Sequence, residues 1–342
     1  MVSLAGLNQD AAQLQQRIDR FHAVRTEILK QVRSVIVGQE EVLDQILIAI
    51  FVGGHCLMTG MPGTAKTLMV RTVADALGLE FRRIQFTPDL MPSDITGTDI
   101  IEEDLDTGRR KWTFVEGPIF GNILLADEIN RTPPKTQSAL LEAMQEHSCT
   151  VRGNLYRLPA PFFVLATQNP IELEGTYPLP EAQLDRFLFN AILGDLSAED
   201  ELKVIDRTTA TRTVKVEPVA SAEALLDFQQ LVRMVPIAEA LSRAVVSLVR
   251  ATRPKSENAP DFVRQYVNYG ASVRAAQFIV LASKARALSH QRYHVTYEDI
   301  VSVAMPVLRH RILLNFHAES DRIDADEILN RLIAQIQRPR EN

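Results

Sequence analysis

A short loop carries the residue types that bind phosphate. The stretch GMPGTAKT, residues 60–67, follows an apolar run and leads into the helical pattern LMVRTVADALG. A helix that begins after a glycine-containing turn presents unpaired backbone N–H groups and the positive end of its dipole, and both attract phosphate. Lys66 can reach the β- and γ-phosphates of a nucleotide, and the Thr67 hydroxyl can ligate Mg²⁺. An ordinary strand–turn–helix corner is the alternative for this stretch taken alone.

The loop departs at one position from the general motif G-x-x-x-x-G-K-S/T. The residue before the lysine is Ala65 rather than glycine, and its methyl group is tolerable if the backbone there is near helical geometry. The residues expected to bind the nucleotide along this loop are Gly60, Pro62, Gly63, Thr64, Ala65, Lys66, Thr67 and Leu68.

Two adjacent carboxylates form the second candidate group. The apolar strand pattern NILLAD ends in Asp127 and is followed by Glu128, which places both acids at the tip of a predicted central strand. One carboxylate can hold the magnesium shell while the other activates a water for attack on the γ-phosphate. We assign Asp127 to the metal and Glu128 to the water. The alternative is an acidic first turn of the next helix.

These groups need a sheet that brings the ends of several strands together. Between about residues 36 and 194, helical patterns alternate with the strand patterns HCLMTG, FRRIQFT, NILLAD, FFVLATQN and FLFNAILG. This alternation predicts an α/β fold, with a parallel sheet between helices and ligands bound beyond the carboxyl ends of the strands. Two hairpin inserts are expected, at LDTGRRKWTF and at CTVRGNLYRL, the second with Gly153-Asn154 as its turn.

The pattern divides the chain into three parts. Apolar positions at helical spacing predict an N-terminal amphipathic helix in residues 1–32. Residues 33–194 form the αβα core, and residues 195–342 form a linker and a domain of helices alone, in which no strands are expected. The predicted helices of this last part are 221–235, 237–252, 271–289, 297–311 and 324–337.

Composition limits the class of protein. The chain has 342 residues, of which 46% are hydrophobic and 23% charged, and its formal net charge is −6. The sequence contains no run of five or more basic residues, so this signal of nucleic-acid binding is missing. Only two cysteines occur, the first residues lack the layout of a signal peptide, and no apolar stretch reaches the roughly 20 residues needed to span a bilayer. A cytoplasmic protein with no membrane span is expected.

Four stretches resemble one known family. GMPGTAKT, LLADEINRTPPKTQSALLEAMQE, ATQNP and LPEAQLDRF are similar, in order and spacing, to the MoxR group of AAA+ ATPases over residues 33–190. The phosphate loop of that group usually reads G-x-P-G-x-A-K-T, which accounts for Ala65. In the helical part GASVRA is the clearest shared feature. The resemblance implies a P-loop NTPase core with a C-terminal helical lid, binding ATP and Mg²⁺.

The resemblance also implies roles for residues that would look unremarkable alone. Asn169 matches sensor 1, which orients the attacking water or contacts the γ-phosphate. Arg186 matches the arginine finger that enters the neighbouring subunit's site, and Arg274 matches sensor 2, which contacts the nucleotide from the lid. Arg131 is a candidate second trans-acting arginine. The segment VIVGQEEV resembles the part that packs on adenine, with Val37, Gly38 and Gln39 nearest to the base.

The expected activity is therefore ATP hydrolysis in a ring, usually a hexamer, with chaperone-like remodelling or activation of client proteins. Proteins with von Willebrand factor A domains are among the partners that the resemblance implies. Two alternatives stay open. One is a nucleic-acid motor of the helicase-related AAA+ group, which Arg152 and Arg157 beside the second hairpin would favour. The other is a nucleotide-dependent binding switch that hydrolyses slowly.

Overall fold

A parallel sheet lies at the centre of the first half of the chain. The computed structural model describes residues 4–103, 110–170, 175–209 and 214–336. The strands in chain order are β1 (His55–Gly60), β2 (Phe81–Gln85), β3 (Gly97–Glu103), β4 (Arg110–Glu116), β5 (Ile123–Asp127), β6 (Ser148–Val151), β7 (Asn154–Arg157), β8 (Phe163–Gln168), β9 (Phe187–Leu193), β10 (Val267–Tyr269) and β11 (Leu313–Leu314). The helices are α1 (Leu4–Val35), α2 (Glu40–Val52), α3 (Lys66–Leu77), α4 (Pro92–Thr96), α5 (Pro134–Glu146), α6 (Glu181–Leu184), α7 (Ala198–Thr209), α8 (Ala222–Met234), α9 (Glu239–Ala251), α10 (Asp261–Tyr266), α11 (Val273–Ser289), α12 (Tyr297–Leu308), α13 (Phe316–Asp321) and α14 (Ala325–Ala334).

The sheet has five strands in the order β2-β5-β8-β1-β9, and every neighbouring pair is parallel. The five strands predicted from the sequence are confirmed. Because β8 lies between β5 and β1, the carboxyl ends of these three strands meet at one edge of the sheet. The phosphate loop follows β1, the acidic pair ends β5 and Asn169 follows β8, so the three groups become neighbours.

Helices cover both faces of the sheet. In β5, Ile123 and Leu125 pack in a core shared with α1, α2 and α3, whereas Leu124 and Ala126 pack in a second core with α5. Successive side chains of a strand point to opposite faces, and both sets are buried here. Burial on both faces explains why the strand reads as a continuous apolar run rather than as an alternating one.

The long helix α1 connects the sheet layer to the later helices. The Phe21 ring contacts the ring of Phe51 in α2 and the ring of Phe228 in α8, with centroids 4.8 and 5.2 Å apart. The predicted amphipathic helix is therefore present, although it continues to Val35. The division of the chain into domains at residues 1–32, 33–194 and 195–342 stays a prediction.

Two antiparallel hairpins, β3–β4 and β6–β7, project from the core and contact each other. The Phe114 and Tyr156 rings stack with centroids 4.0 Å apart, and the Arg152 guanidinium lies 4.2 Å from the Trp112 ring centroid. Residues 104–109, the predicted turn of the first hairpin, lie outside the described residues. The turn predicted for the second hairpin was wrong by one residue. Its two loop residues are Arg152 and Gly153, both with positive φ, because Asn154 pairs with Val151.

After β9, the described residues form helices and the loops between them, with one small exception. The short strands β10 and β11 form an antiparallel pair, so the prediction of helices alone was wrong. Strands of two or three residues give no readable periodicity in a sequence. The longer helices predicted there are confirmed, including the capping box of Thr296 and Asp299 at the start of α12. Among the described residues, no helix has an apolar stretch that could cross a lipid bilayer.

Candidate active site

The phosphate loop connects the end of β1 to the start of α3. Gly60 is packed so closely that an added Cβ would lie 2.8 Å from Cβ of Leu193, and Gly63 has φ of +82°. Ala65 has φ of 58° and ψ of 24°, which is the left-handed region. Ala65 therefore does not meet the condition, a backbone near right-handed helical geometry, under which its methyl group would be readily tolerated. The sequence places alanine where the chain conformation favours glycine.

Lys66 folds back over the loop that precedes it. Its Nζ donates to the Gly60 and Met61 carbonyl oxygens at 2.7 and 2.9 Å. Burial lowers the pKa of Lys66, and the nearby Asp127 and Glu128 carboxylates act in the opposite direction. These bonds keep the ammonium at the mouth of the loop, beside the first turn of α3. The unpaired N–H groups of that turn face the same space.

Asp127 is buried at the end of β5 and bonded from two sides. Its Oδ1 accepts a hydrogen bond from Thr167 Oγ1 at 2.6 Å, and its Oδ2 accepts from Arg83 Nη2 at 2.7 Å and from Arg83 Nε at 3.2 Å. Thr167 Oγ1 in turn accepts from the Glu128 N–H at 2.8 Å. The neighbouring strands β2 and β8 thus fix both acidic residues to the edge of the sheet.

Glu128 leaves the strand through a left-handed residue, with φ of 56°. Its Oε2 accepts from Gln85 Nε2 at 2.9 Å and from Arg131 Nη1 at 3.1 Å. Arg83 Nη2 also donates to Gln85 Oε1 at 2.7 Å, so one network joins the two carboxylates. Arg131, a candidate for action in the neighbouring subunit, here contacts the carboxylate of its own chain.

A cavity of about 460 Å³ brings these groups together. It is lined by Pro62, Gly63, Thr64, Ala65, Lys66, Thr67, Leu68, Asp127, Glu128, Thr167, Gln168 and Asn169. The phosphate loop, both acids and Asn169 therefore face one space, as the sequence predicted. Thr67 and Asp127 share that space and offer the oxygen ligands that Mg²⁺ prefers. The chemistry of these donors fits a magnesium nucleotide.

A second cavity, of about 480 Å³, adjoins the first and shares the loop from Pro62 to Ala65 and Leu68. Val37 and Gln39 line it, together with Gly194, Leu196 and four residues of α7 between Glu201 and Thr208. Gln39 Nε2 donates to the Gly194 carbonyl at 2.6 Å. Gly38 has φ of +69°, and an added Cβ would lie 2.8 Å from Leu196 Cδ2. This mixed apolar and polar space, beside a phosphate loop, suits a nucleoside.

Four predicted site residues line neither cavity, namely Gly38, Gly60, Arg186 and Arg274. Arg186 lies between α6 and β9, partly buried, and lines neither cavity. Arg274 lies in the first turn of α11 and also lines neither cavity; its Nη1 is 3.5 Å from Asp185 Oδ2. The structure thus assembles Lys66, Thr67, Asp127, Glu128 and Asn169 and leaves the two arginines outside.

Three polar residues of the network were not foreseen. Arg83 and Gln85 lie on β2, and Thr167 lies on β8, opposite the acidic strand tip. Gln85 pairs with Asp127 in the sheet, which is why its side chain reaches the acidic pair. The sequence pattern FRRIQ predicts a strand but does not reveal the register in which β2 pairs with β5.

Two family models match the chain. One, described as the ATPase family associated with various cellular activities (AAA), matches residues 55–189, and the other, described as the AAA lid domain, matches residues 261–332. The first covers β1 through the first three residues of β9, and the second covers α10 through most of α14.

Similar proteins extend this match over most of the chain. Chaperone MoxR1 of Mycobacterium tuberculosis is 42% identical over 91% of this chain and 81% of that protein. The uncharacterized protein YeaC of Bacillus subtilis is 40% identical, over 93% and 96%, and protein MoxR of Methylorubrum extorquens is 31% identical, over 83% and 86%. The crystal structure of a proposed ATPase from Cytophaga hutchinsonii superposes with a TM-score of 0.89 and 41% identity, over 96% of this chain and 98% of that one.

Proposed function

The chain belongs to the MoxR family of AAA+ ATPases, and from this premise we propose that it hydrolyses ATP with Mg²⁺ and uses the hydrolysis to remodel or activate partner proteins. One observation carries the proposal. Lys66, Thr67, Asp127, Glu128 and Asn169 converge on a single cavity although they follow three different strands. A cation, a metal-binding hydroxyl, two carboxylates and a buried amide in that arrangement suit phosphoryl transfer to water.

Each residue has a role that follows from its position. Lys66 binds the β- and γ-phosphates from the loop, and Thr67 and Asp127 would hold Mg²⁺. When bound, the metal neutralises charge that develops on the phosphate oxygens. Glu128 accepts the proton of the attacking water, and Asn169 orients that water. The second cavity, which Val37 and Gln39 line with Gly38 between them in the chain, takes the adenosine.

Arg186 and Arg274 complete the proposal. Because Arg186 lies outside its own chain's cavity, we assign it to the site of a neighbouring subunit, in a ring that we expect to be a hexamer. A head-to-tail interface that closes on itself gives such a ring. Arg274 would reach the nucleotide when the helical lid closes, so hydrolysis would relax the lid against the core.

Client proteins are the proposed partners, since one relative, of Mycobacterium tuberculosis, carries the name chaperone. Proteins with von Willebrand factor A domains are the class that we propose first, and the cytoplasm is the proposed location. The hairpin residue Arg152 gives little support to a nucleic-acid motor. Its guanidinium is engaged within the chain by Trp112 and, at 3.9 Å, by Asp99.

The test uses two site variants and one control. Glu128→Gln should bind a fluorescent ATP analogue with Mg²⁺ like the wild type and should release phosphate at least about a hundredfold more slowly, because it lacks the proton acceptor. Lys66→Ala should lose analogue binding itself. Glu146→Gln, an equal change at an exposed carboxylate ending α5, should behave as wild type. Wild-type phosphate release by Glu128→Gln, or wild-type binding by Lys66→Ala, would refute the assignment.

A concentration series separates the enzyme from a binding switch. If Arg186 acts in trans, turnover per subunit should rise steeply with protein concentration as rings form, and analogue binding should change little. Turnover that stays near zero at every concentration, with rings present, would favour the switch. A salt-sensitive stimulation of turnover by DNA would favour the nucleic-acid motor.

A further inference from the structure

A buried arginine from the helical region forms several hydrogen bonds to the segment that contains Arg186. Arg311 follows α12, and its side chain is only 2% exposed. Its Nε donates to Asp185 Oδ1 at 2.8 Å, and its Nη2 donates to the Asp185 carbonyl at 2.9 Å and to the Phe187 carbonyl. Its Nη1 donates to the Val307 carbonyl at the end of α12. The guanidinium therefore joins the end of α12 to the start of β9.

The positions of these carbonyls matter because they flank Arg186. Nη2 of Arg311 donates to two carbonyl oxygens, that of Asp185 on the N-terminal side of Arg186 and that of Phe187 on its C-terminal side. Peptide planes are rigid, so fixing the flanking carbonyls restricts the backbone dihedrals between them. The direction in which the Arg186 side chain leaves the backbone is then set by Arg311. A planar fork of donors can make this set of bonds, whereas a lysine ammonium cannot match its geometry.

Asp185 extends the connection to a second helix. Its Oδ1 is held by Arg311, while its Oδ2 accepts from Ser272 Oγ at 3.0 Å and lies 3.5 Å from Arg274 Nη1. Ser272 and Arg274 begin α11. Burial lowers the pKa of Arg311 to about 10, so the guanidinium keeps its charge at neutral pH. One carboxylate thus links α11, α12 and the residue next to Arg186.

We propose that Arg311 is the positioning residue for Arg186. Asp185 then couples movements of α11 and α12 in one subunit to Arg186 of the same subunit, which acts in the site of the neighbouring subunit. This inference rests on the proposed trans role of Arg186. It adds a residue that touches neither nucleotide nor metal, and a route by which the lid of one subunit sets the activity of its neighbour's site.

The experiment mixes two kinds of inactive subunit. Donor subunits carry Glu128→Gln and keep Arg186, and acceptor subunits carry Arg186→Ala and keep an intact site. Turnover recovers only where a donor's arginine meets an acceptor's site. Arg311→Lys is then placed either in the donor or in the acceptor, with mixed assembly checked by cross-linking. We expect recovered turnover to fall about tenfold to a hundredfold with the change in the donor, since small misplacements of a catalytic group have effects of that size.

In the acceptor the same change should alter turnover less than about twofold, because the acceptor's own arginine is already absent. Nucleotide affinity should stay constant in both placements. Arg309→Lys is the matched control. The Arg309 side chain is also largely buried, and it forms an ion pair with Asp326 at 2.8 Å. It lies two residues from Arg311 and does not contact Asp185. Its change should have no dependence on placement.

Asp185→Asn in the donor provides an independent variant that keeps an oxygen for Arg311 but removes the charge. It should reproduce the donor-specific loss. An equal loss in donor and acceptor, or loss of nucleotide binding by both variants, would assign Arg311 to folding alone and overturn the inference. A parent mixture without recovered turnover would instead refute the trans role of Arg186, and the inference with it, so the two failures are distinguishable.

Discussion

A buried histidine at the start of β1 predicts a specific loss of stability in acid. His55 Nδ1 accepts a hydrogen bond from the Val164 N–H at 3.0 Å, and Nε2 lies 3.1 Å from the Met144 carbonyl oxygen. Since a backbone N–H can only donate and a carbonyl can only accept, the neutral ring with its proton on Nε2 satisfies both partners. A second proton on Nδ1 would face the Val164 N–H. Burial lowers the pKa of His55 to about 4.

The magnitude follows from the difference between the folded and unfolded pKa values. The ordinary value of 6.5 applies to the unfolded chain, so the pKa is depressed on folding. As the pH falls from 6.5, the unfolded state binds the proton first and stability decreases until the folded state also binds it near pH 4. At about 1.4 kcal/mol per unit, the loss is roughly 3 kcal/mol over this window. That is a large part of the roughly 5–15 kcal/mol that stabilises a typical protein.

Urea unfolding of the wild type and of His55→Gln between pH 7.5 and pH 4.5 measures the effect. Glutamine can donate and accept but does not titrate, so its curve should lack this contribution. The stability difference between wild type and variant should shift by about 1 kcal/mol per pH unit below pH 6, in favour of the variant. His317→Gln, at an exposed histidine, should leave the wild-type slope unchanged. Equal slopes for wild type and His55→Gln would refute the reasoning.

The loop and the acidic network give three further predictions. Arg83 pairs with Asp127 and would compete with Mg²⁺ for this carboxylate. Arg83→Gln removes the competing cation, so half-maximal binding of the ATP analogue should need severalfold less Mg²⁺. An unchanged or higher Mg²⁺ requirement would contradict this competition. Ala65→Gly removes the strain of a left-handed alanine, which stabilises the folded state by about 1–2 kcal/mol. Glycine also raises the entropy of the unfolded chain, which destabilises the fold by about 0.5–1 kcal/mol, so the melting temperature should rise slightly. A clear fall in melting temperature would contradict the strain at Ala65. Gly38→Ala adds a Cβ 2.8 Å from Leu196 at positive φ and should weaken analogue binding at least about tenfold, whereas wild-type affinity would exclude Gly38 from the adenosine side.

The AAA+ fold and the centre of the site were predictable because their signals are local. The motif around Lys66 fits in eight residues, and the apolar run before Asp127 identifies a buried strand. One general rule, that parallel strands meet at their carboxyl ends, then brings both groups together. The family models and the superposed structure confirm the AAA core and the lid that the sequence predicted.

The residues that hold the acids could not be predicted in this way. Arg83 reaches Asp127 only because β2 lies at the edge of the sheet beside β5 and in one register. A shift of one residue would turn Arg83 to the other face. The dihedrals of Ala65 were also out of reach, since the sequence shows that alanine replaces glycine but not which conformation the alanine accepts. Arg311 gave no signal at all, because its partners are mostly carbonyl oxygens distant in sequence.

The distribution of charge in the site indicates which groups rearrange when a nucleotide binds. Asp127 is fixed by the sheet and by Thr167, and the Glu128 backbone is fixed by the same threonine, so the acids have little freedom to move. Their cationic partners, Arg83 and Arg131, are 47% and 42% exposed. Phosphate oxygens offer these arginines the same bidentate geometry as the carboxylates do. We therefore expect the two arginines to exchange partners while the carboxylates stay in place, which would leave Asp127 and Glu128 available to metal and water only after the nucleotide has entered.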